Sequence, residues 1–191
     1  MDINNYPFLK KLKNNEIKEQ IKKVVDFHGC LSPGALIGVY MFNMAKSILN
    51  IGNGERIYAT CETYNCLPDA FQVLGRCTIG NKRLKIKDTG KMAVIVNKMG
   101  KEGETIKGVR IILDDKKTVN YPALHAWYMN TKKIPHDNVI LDIVNAGESV
   151  YSYEFLAVEV PYKPKKRIEL CNICQEPFIS YNGEKICPSC K

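Results

Sequence analysis

The chain predicts an α+β fold, a mixed and largely antiparallel sheet packed by helices, with a small cysteine-built module at its C-terminus. Three observations carry this reading. Apolar residues recur at helical spacing through the first third of the chain. Runs that alternate apolar with polar residues, or are apolar throughout, cluster at 92–113 and 150–160. Two Cys-x-x-Cys pairs close the sequence. Helices ahead of clustered strands is the order of an α+β domain, not of repeated βαβ units.

Each element has a local reason. From Ile17, the residues Ile21, Val24, Val25 and His28 fall on one helical face, which puts His28 at the end of that helix on its buried side. Ser32 is a capping residue and Pro33 suits the first helical position, so a second helix starts there. Residues 34–49 are apolar on nearly every side, which marks a buried central helix or one partly used in a dimer contact. At about 24 Å this helix is too short to span a bilayer. Gly38 within it permits close approach of another backbone, and Asn50 and Gly52 end it.

Arg56 to Glu62 alternates like a strand, placing Cys61 and Glu62 on opposite faces. A third helix follows, with Pro68 just inside its start, Cys66 just before it and Leu67, Ala70, Phe71 and Leu74 at helical spacing. Lys82, Arg83, Lys85, Lys87 and Lys91 surround two weak strands and read as a solvated sheet edge protected by lysines. Met92 to Lys98 and Gly108 to Leu113 form a hairpin through Gly100, Glu102 and Gly103. Tyr121 to Met129 is a short helix turning Leu124 and Trp127 inward, Ile134 to Val144 is ambiguous, and Val150 to Val160 is a long strand.

Composition sets bounds. The 191 residues suffice for one substantial domain and a small appendage, divided here as 1–162 and 163–191. No apolar run is long enough to cross a membrane, and Met1 to Lys13 holds no stretch of signal-peptide type, so the expected location is cytoplasmic and away from membranes. Eight cysteines in that compartment point to metal or thiol chemistry in preference to disulfides. The net charge of +8 permits nucleic-acid or acidic partners without requiring them.

The tail carries the strongest chemical signal. Pro161 to Arg167 is basic and proline-rich, the composition of a linker. Beyond it Cys171 and Cys174, then Cys187 and Cys190, each offer two thiolates from a tight turn, and the intervening segment with Asn182-Gly183 reads as a hairpin joining them. Four thiolates make a closed tetrahedral zinc site with no open position, which is structural in character. The fold therefore includes a zinc ribbon or treble-clef module.

Around these elements lies a set of residues that belong together. The series His28-Gly29 … Pro33-Gly34, then Glu62-Thr63 … Cys66 … Asp69-Ala70 … Gln72-Val73 … Gly75 … Cys77-Thr78 … Gly80, continuing through Leu84 and Asp88 … Gly90-Lys91, resembles the FmdE family, named for a component of molybdenum formylmethanofuran dehydrogenase. The resemblance spans most of residues 15–160. Where the family commonly has a second His and a Cys before Pro-Gly, this chain has Cys30 and Ser32.

The residues and the resemblance lead to a first reading, a pocket for a metal or a small anionic ligand. His28 and Cys66 are its expected metal ligands, and Cys30 or Cys77 complete it as cofactor-binding residues. Cys61 is a further candidate ligand. Asp69 and Glu62 are candidates to orient a ligand or act as a base, so His28, Cys66 and Asp69 are the candidate catalytic set. A thiol at a helix start is favoured as nucleophile or ligand. The resemblance implies association with formylmethanofuran dehydrogenase and with methanogenic carbon dioxide reduction.

The competing reading is an adaptor whose zinc module and basic linker recognise nucleic acid or a protein. From Lys163 onward six Lys and Arg face three Glu, a net of +3, and the interleaved aromatic pattern of a single-strand binder is missing. Nucleic acid is therefore the lesser expectation, and a homodimer, from the apolar excess of the central helix, the greater.

Overall fold

The computed structural model describes Leu12 and residues 14–191; the rest of the stretch Met1–Lys13 lies outside the described residues. The chain divides into two compact units. The larger runs to Met99 and resumes over Thr105–Val158; the smaller comprises Gly100–Glu104 with Glu159–Lys191. Backbone hydrogen bonds from Gly103 N to Val160 O and from Val160 N to Glu104 O, each 2.8 Å, draw that hairpin tip into the smaller unit.

The larger unit opens with α1 (Asn15–His28). Asn14 caps it by accepting from the N–H of Glu16 at 2.9 Å and Ile17 at 3.3 Å. Gly29, at φ +90°, closes the helix, and its N–H donates to Val25 O at 2.8 Å. That stop leaves His28 as the last helical residue. α2 (Pro33–Ile48) begins as the sequence predicts, with Ser32 Oγ accepting from Ala35 N at 3.2 Å.

α2 is the centre of the core: every residue from Pro33 to Met41 is buried. Its cover comes from α1, α3 (Leu67–Leu74), β4 (Thr105–Leu113) and α6 (His136–Ala146) of the same chain. The apolar excess that motivates a dimer contact through this helix is thus satisfied within the chain. Gly38 makes the packing with α3 feasible, because a Cβ there would lie 2.6 Å from Leu67 O and 2.8 Å from the Ala70 Cβ.

β1 (Ile57–Cys61) pairs parallel with β2 (Leu84–Ile86) and antiparallel with β3 (Ala93–Lys98), which pairs antiparallel with β4. With β5 (Tyr151–Glu159) added, the sheet has the order β2-β1-β3-β4-β5. Alternation decides the faces. Ile57, Ala59 and Cys61 of β1 and Val109, Ile111 and Leu113 of β4 are buried in the core. The lysine-rich stretch forms one strand, β2, in place of two, and it lies at a sheet edge with Lys85 exposed.

Between β4 and β5 come α4 (Asp115–Thr118), which the sequence pattern does not reveal, α5 (Pro122–Tyr128), and α6 over the ambiguous stretch. α6 buries Val139, Ile140 and Ile143 at helical spacing, which settles it as a helix. Asp142 of α6 accepts from the free N–H groups of Ala123 at 2.8 Å and Leu124 at 3.1 Å, capping α5 from a distance. Among the described residues no helix is long and apolar enough to cross a membrane.

In the smaller unit β6 (Arg167–Leu170) and β7 (Pro177–Ser180) pair antiparallel, with Ile168 opposite Ile179. The hairpin therefore encloses the first cysteine pair, whereas the pattern around Asn182-Gly183 points to a hairpin between the pairs. Glu184 shapes the Asn182-Gly183 turn instead, accepting from Ser180 Oγ at 2.8 Å and from the N–H of Asn182 at 3.0 Å and Tyr181 at 3.1 Å.

Candidate functional site

Three helix ends meet at the first candidate site. His28 finishes α1, Gly34 stands in the first turn of α2, and Cys66 immediately precedes α3. A Cβ on Gly34 would lie 3.2 Å from the Cys66 Cβ and 3.8 Å from its Sγ, so only a glycine lets the start of α2 sit this close to the thiol without displacing it. Cys66 makes no capping hydrogen bond through its side chain.

His28 is tied to the same place from the other side. Its Nδ1 lies 2.6 Å from Asp69 Oδ2, a partner 41 residues away and three beyond Cys66. The second Asp69 oxygen accepts from Gln72 Nε2 at 3.0 Å. A carboxylate only accepts, so in the neutral imidazole Nδ1 carries the proton and Nε2 presents its lone pair. His28 and Asp69 keep 17% and 25% of their side-chain surface, so a ligand can reach a dyad that is otherwise enclosed. Such a carboxylate–imidazole pair holds a histidine in position for a metal or for proton transfer.

The other expected residues separate. Cys30 is exposed, in the turn between α1 and α2. Cys77 is not a companion of Cys66. It lies past the opposite end of α3, eight residues and so about 12 Å of helix away, fully buried with its Sγ donating to Ile57 O at 3.4 Å. Burial pushes its thiol up to about 11, and that of Cys61 up to about 12. Both behave as small core residues, because desolvation opposes the thiolate that a ligand or nucleophile needs.

Glu62 is likewise spoken for. Arg110 holds it through two hydrogen bonds, Nε to Oε1 at 2.6 Å and Nη2 to Oε2 at 2.9 Å. These bonds hold the Glu62 carboxyl below its usual range. Its backbone carbonyl accepts from the N–H of Thr89 at 3.0 Å and Lys91 at 3.2 Å. Glu62 thereby anchors the segment that leads to Cys66. Arg110 carried no sequence signal for this task, since only the sheet register lets it reach across β3 to the end of β1.

The second site is complete in itself. The donor atoms of Cys171, Cys174, Cys187 and Cys190 all lie within 4.8 Å of one another, and among the described residues no other such group of three or more His, Cys, Asp and Glu is placed to hold a metal. Cys174 Sγ and Cys187 Sγ are 3.8 Å apart. Tetrahedral ligation at a metal–sulfur distance of about 2.3 Å requires sulfurs about 3.8 Å apart, so the cluster fits. The N–H groups of Cys187 and Cys174 bring the Cys171 thiol down to about 6, while the thiols of Cys187 and Cys174 push Cys190 up to about 12. A divalent cation would relieve that crowding of charge. Cys171 and Cys187 are buried, Cys190 is half-buried and Cys174 is exposed, so one side of the group faces solvent.

Fold and sites together define an α+β protein with a mostly antiparallel sheet, a histidine–carboxylate dyad at three converging helix ends, and a separate four-cysteine metal-binding group. The chain belongs to the FmdE family. The family model, "FmdE, Molybdenum formylmethanofuran dehydrogenase operon", matches residues 27–157, which takes in His28, Cys66 and Asp69. The fold is similar to that of a solved FmdE-like protein from Syntrophus aciditrophicus, named for tungsten formylmethanofuran dehydrogenase. The TM-score is 0.78 and the identity 32%, over 91% of this chain and 91% of that one. A protein of Archaeoglobus fulgidus named "Probable S-adenosyl-L-methionine-binding protein" is 29% identical over 126 residues, 63% of this chain. The match spans 33% of that relative, about a third of its length.

Proposed function

We propose that this is a metal-binding protein of the FmdE type, in which one metal is structural and a second site stays open to ligands. The tail cysteines hold zinc and leave it no free coordination position. His28 Nε2 and Cys66 Sγ offer two donors for a further metal or a small anionic ligand, and water or the ligand itself fills the remaining positions. The observation that carries this reading is the 2.6 Å His28–Asp69 contact, the arrangement that orients a ligating imidazole, made by the residue three positions after Cys66. A bound metal would act as a Lewis acid there. The chain's own residues orient the imidazole, hold the thiol against the first turn of α2 and provide a proton acceptor in Asp69. The family and its solved relative both carry the name of formylmethanofuran dehydrogenase, which makes that enzyme, and with it carbon dioxide reduction, the proposed partner and context.

Metal stoichiometry on the full chain tests the reading. Wild type is expected to bind one equivalent beyond that of the tail, and His28→Ala and Cys66→Ser are each expected to lose only that equivalent. Wild type holding a single equivalent that neither variant alters would sink the metal part of the proposal.

A further inference from the structure

A second concavity lies at the far ends of the three helices from His28. A cleft of about 650 Å³ is bounded by the N-terminal half of α1, the last turn of α2 and its following loop, and the end of α3. That volume is in the range of small-molecule sites. Phe42, Ile51, Ile57, Val73 and Leu74 contribute apolar surface to its lining. Its rim carries five cations, Lys23, Lys46, Arg56, Arg76 and Arg83, against three carboxylates, Glu16, Glu19 and Glu55.

The carboxylates are occupied. Glu16 lies 3.5 Å from Lys46 Nζ, Glu19 lies 2.6 Å from Lys22 Nζ, and Glu55 lies 3.1 Å from Lys98 Nζ while accepting from Gly52 N at 2.9 Å. Arg83 donates one N–H to the Arg76 carbonyl, which does not offset its charge. Among the described residues no carboxylate pairs with Lys23, Arg56, Arg76 or Arg83.

These cations are not needed to finish the helices whose C-termini face the cleft. The N–H groups of Leu49, Ile51 and Asn50 serve the end of α2 at Ala45 O, Lys46 O and Ser47 O, and those of Gly75 and Cys77 serve the end of α3 at Phe71 O. The loop bearing two of the arginines is also fixed in advance. Arg76 sits in the left-handed region at φ +50°, and its carbonyl accepts from Asn81 Nδ2 at 2.7 Å as well as from Arg83. Thr78 and Asn81 exchange hydrogen bonds at 3.0 and 3.1 Å. Ordering already present in the free protein lowers the cost of binding.

We infer that this cleft binds an organic phosphate of nucleotide size, with its organic body against the apolar side chains of the lining and its phosphate taken by the guanidinium groups of the rim. Guanidinium forks match phosphate oxygens, and the apolar part of the lining distinguishes such a ligand from a free inorganic anion. Exposed Lys85 on the edge strand β2 and Lys87 just beyond it add to the field that draws an anion in. The inference goes beyond the His28 site and does not depend on it.

Titration calorimetry on the full chain with ADP, adenosine and pyrophosphate provides the test. ADP is expected to bind, with adenosine and pyrophosphate each weaker by about tenfold or more. Arg56→Ala and Arg76→Gly are each expected to weaken ADP by about tenfold, the loss of one charge-assisted contact. Glycine accepts the left-handed backbone at position 76 without strain, so an unchanged melting temperature for that variant separates lost binding from lost folding. The inference is overturned if wild type gives no heat with ADP, if pyrophosphate binds as tightly as ADP, or if both variants bind like wild type. A single-stranded oligonucleotide that binds far more tightly than ADP, and that Lys85→Glu weakens, would equally overturn it in favour of a nucleic-acid surface.

Discussion

The two units of this protein hold their shape by different physics. In the larger one Phe71, Leu36, Ile37, Met41 and Ile111 are at or near zero exposure, and folding rests on apolar burial around α2. In the smaller one the large apolar side chains are outside: Ile168, Leu170 and Ile173 are 58–69% exposed, whereas Cys171 and Cys187 are inside. Burial contributes little where so little is buried, and the four sulfurs of the smaller unit are placed so that a bound metal would supply what burial does not. The proposed function divides along the same line: the open positions proposed at His28 and Cys66 belong to the unit with its own core, and the closed four-cysteine group to the unit without one.

The largest effect tests that division directly. Cys174→Ser removes one of four ligands from a kind of site worth about 10–16 kcal/mol of coupled binding and folding. Metal analysis and limited proteolysis are expected to show the smaller unit metal-free and cleaved between β6 and Cys190, with the melting transition of the larger unit retained. A larger unit that unfolds with the tail would erase the comparison.

Gly38→Ala is the counterpart in the larger unit. The added methyl meets the Leu67 carbonyl at 2.6 Å, which is backbone and cannot turn away. A loss of about 1–3 kcal/mol in denaturant unfolding is expected, with tail metal content unchanged.

Acid should act on both units for different reasons. Arg110 lowers the Glu62 pKa in the folded state, so the stability this pair contributes is present above the unfolded carboxylate range and is lost as pH falls through the folded value. Melting curves of wild type and Glu62→Gln are therefore expected to differ by about 1.5–3 kcal/mol near neutral pH and to converge in acid. Metal release from the tail, followed on the same samples, is expected to be identical in the two proteins. A gap that persists at low pH would mean Glu62 acts by shape and not by charge.

The smallest effect belongs to Lys163, whose ion pair with Glu102 spans 3.1 Å at the surface of the smaller unit with the lysine 88% exposed. Lys163→Ala is expected to leave the melting temperature nearly unchanged and metal affinity unaltered, the latter measured by competition with a chelator. A weakened metal site would show that surface pairs, as well as sulfurs, hold this unit.

Much of this was legible locally, because helix stops, caps and metal turns are written in adjacent residues. Gly29 ends α1 at His28, Ser32-Pro33 starts α2, and Cys-x-x-Cys makes a two-sulfur turn wherever it lies. The sequence also placed Cys66 at the start of α3 and singled out Asp69 as a residue able to orient a ligand. It could not say which imidazole or thiol Asp69 would meet. His28 finds Asp69 across 41 residues, and Glu62 finds Arg110 across 48, because α1 packs beside α3 and because the register of β1, β3 and β4 sets one strand end against another. The length of α3 sends Cys77 to the opposite end from Cys66, although eleven positions in sequence give no hint of it. Local chemistry fixes each residue's conformation and capacity; which capacities meet depends on helix length, packing and sheet register, and these act only once the chain has folded.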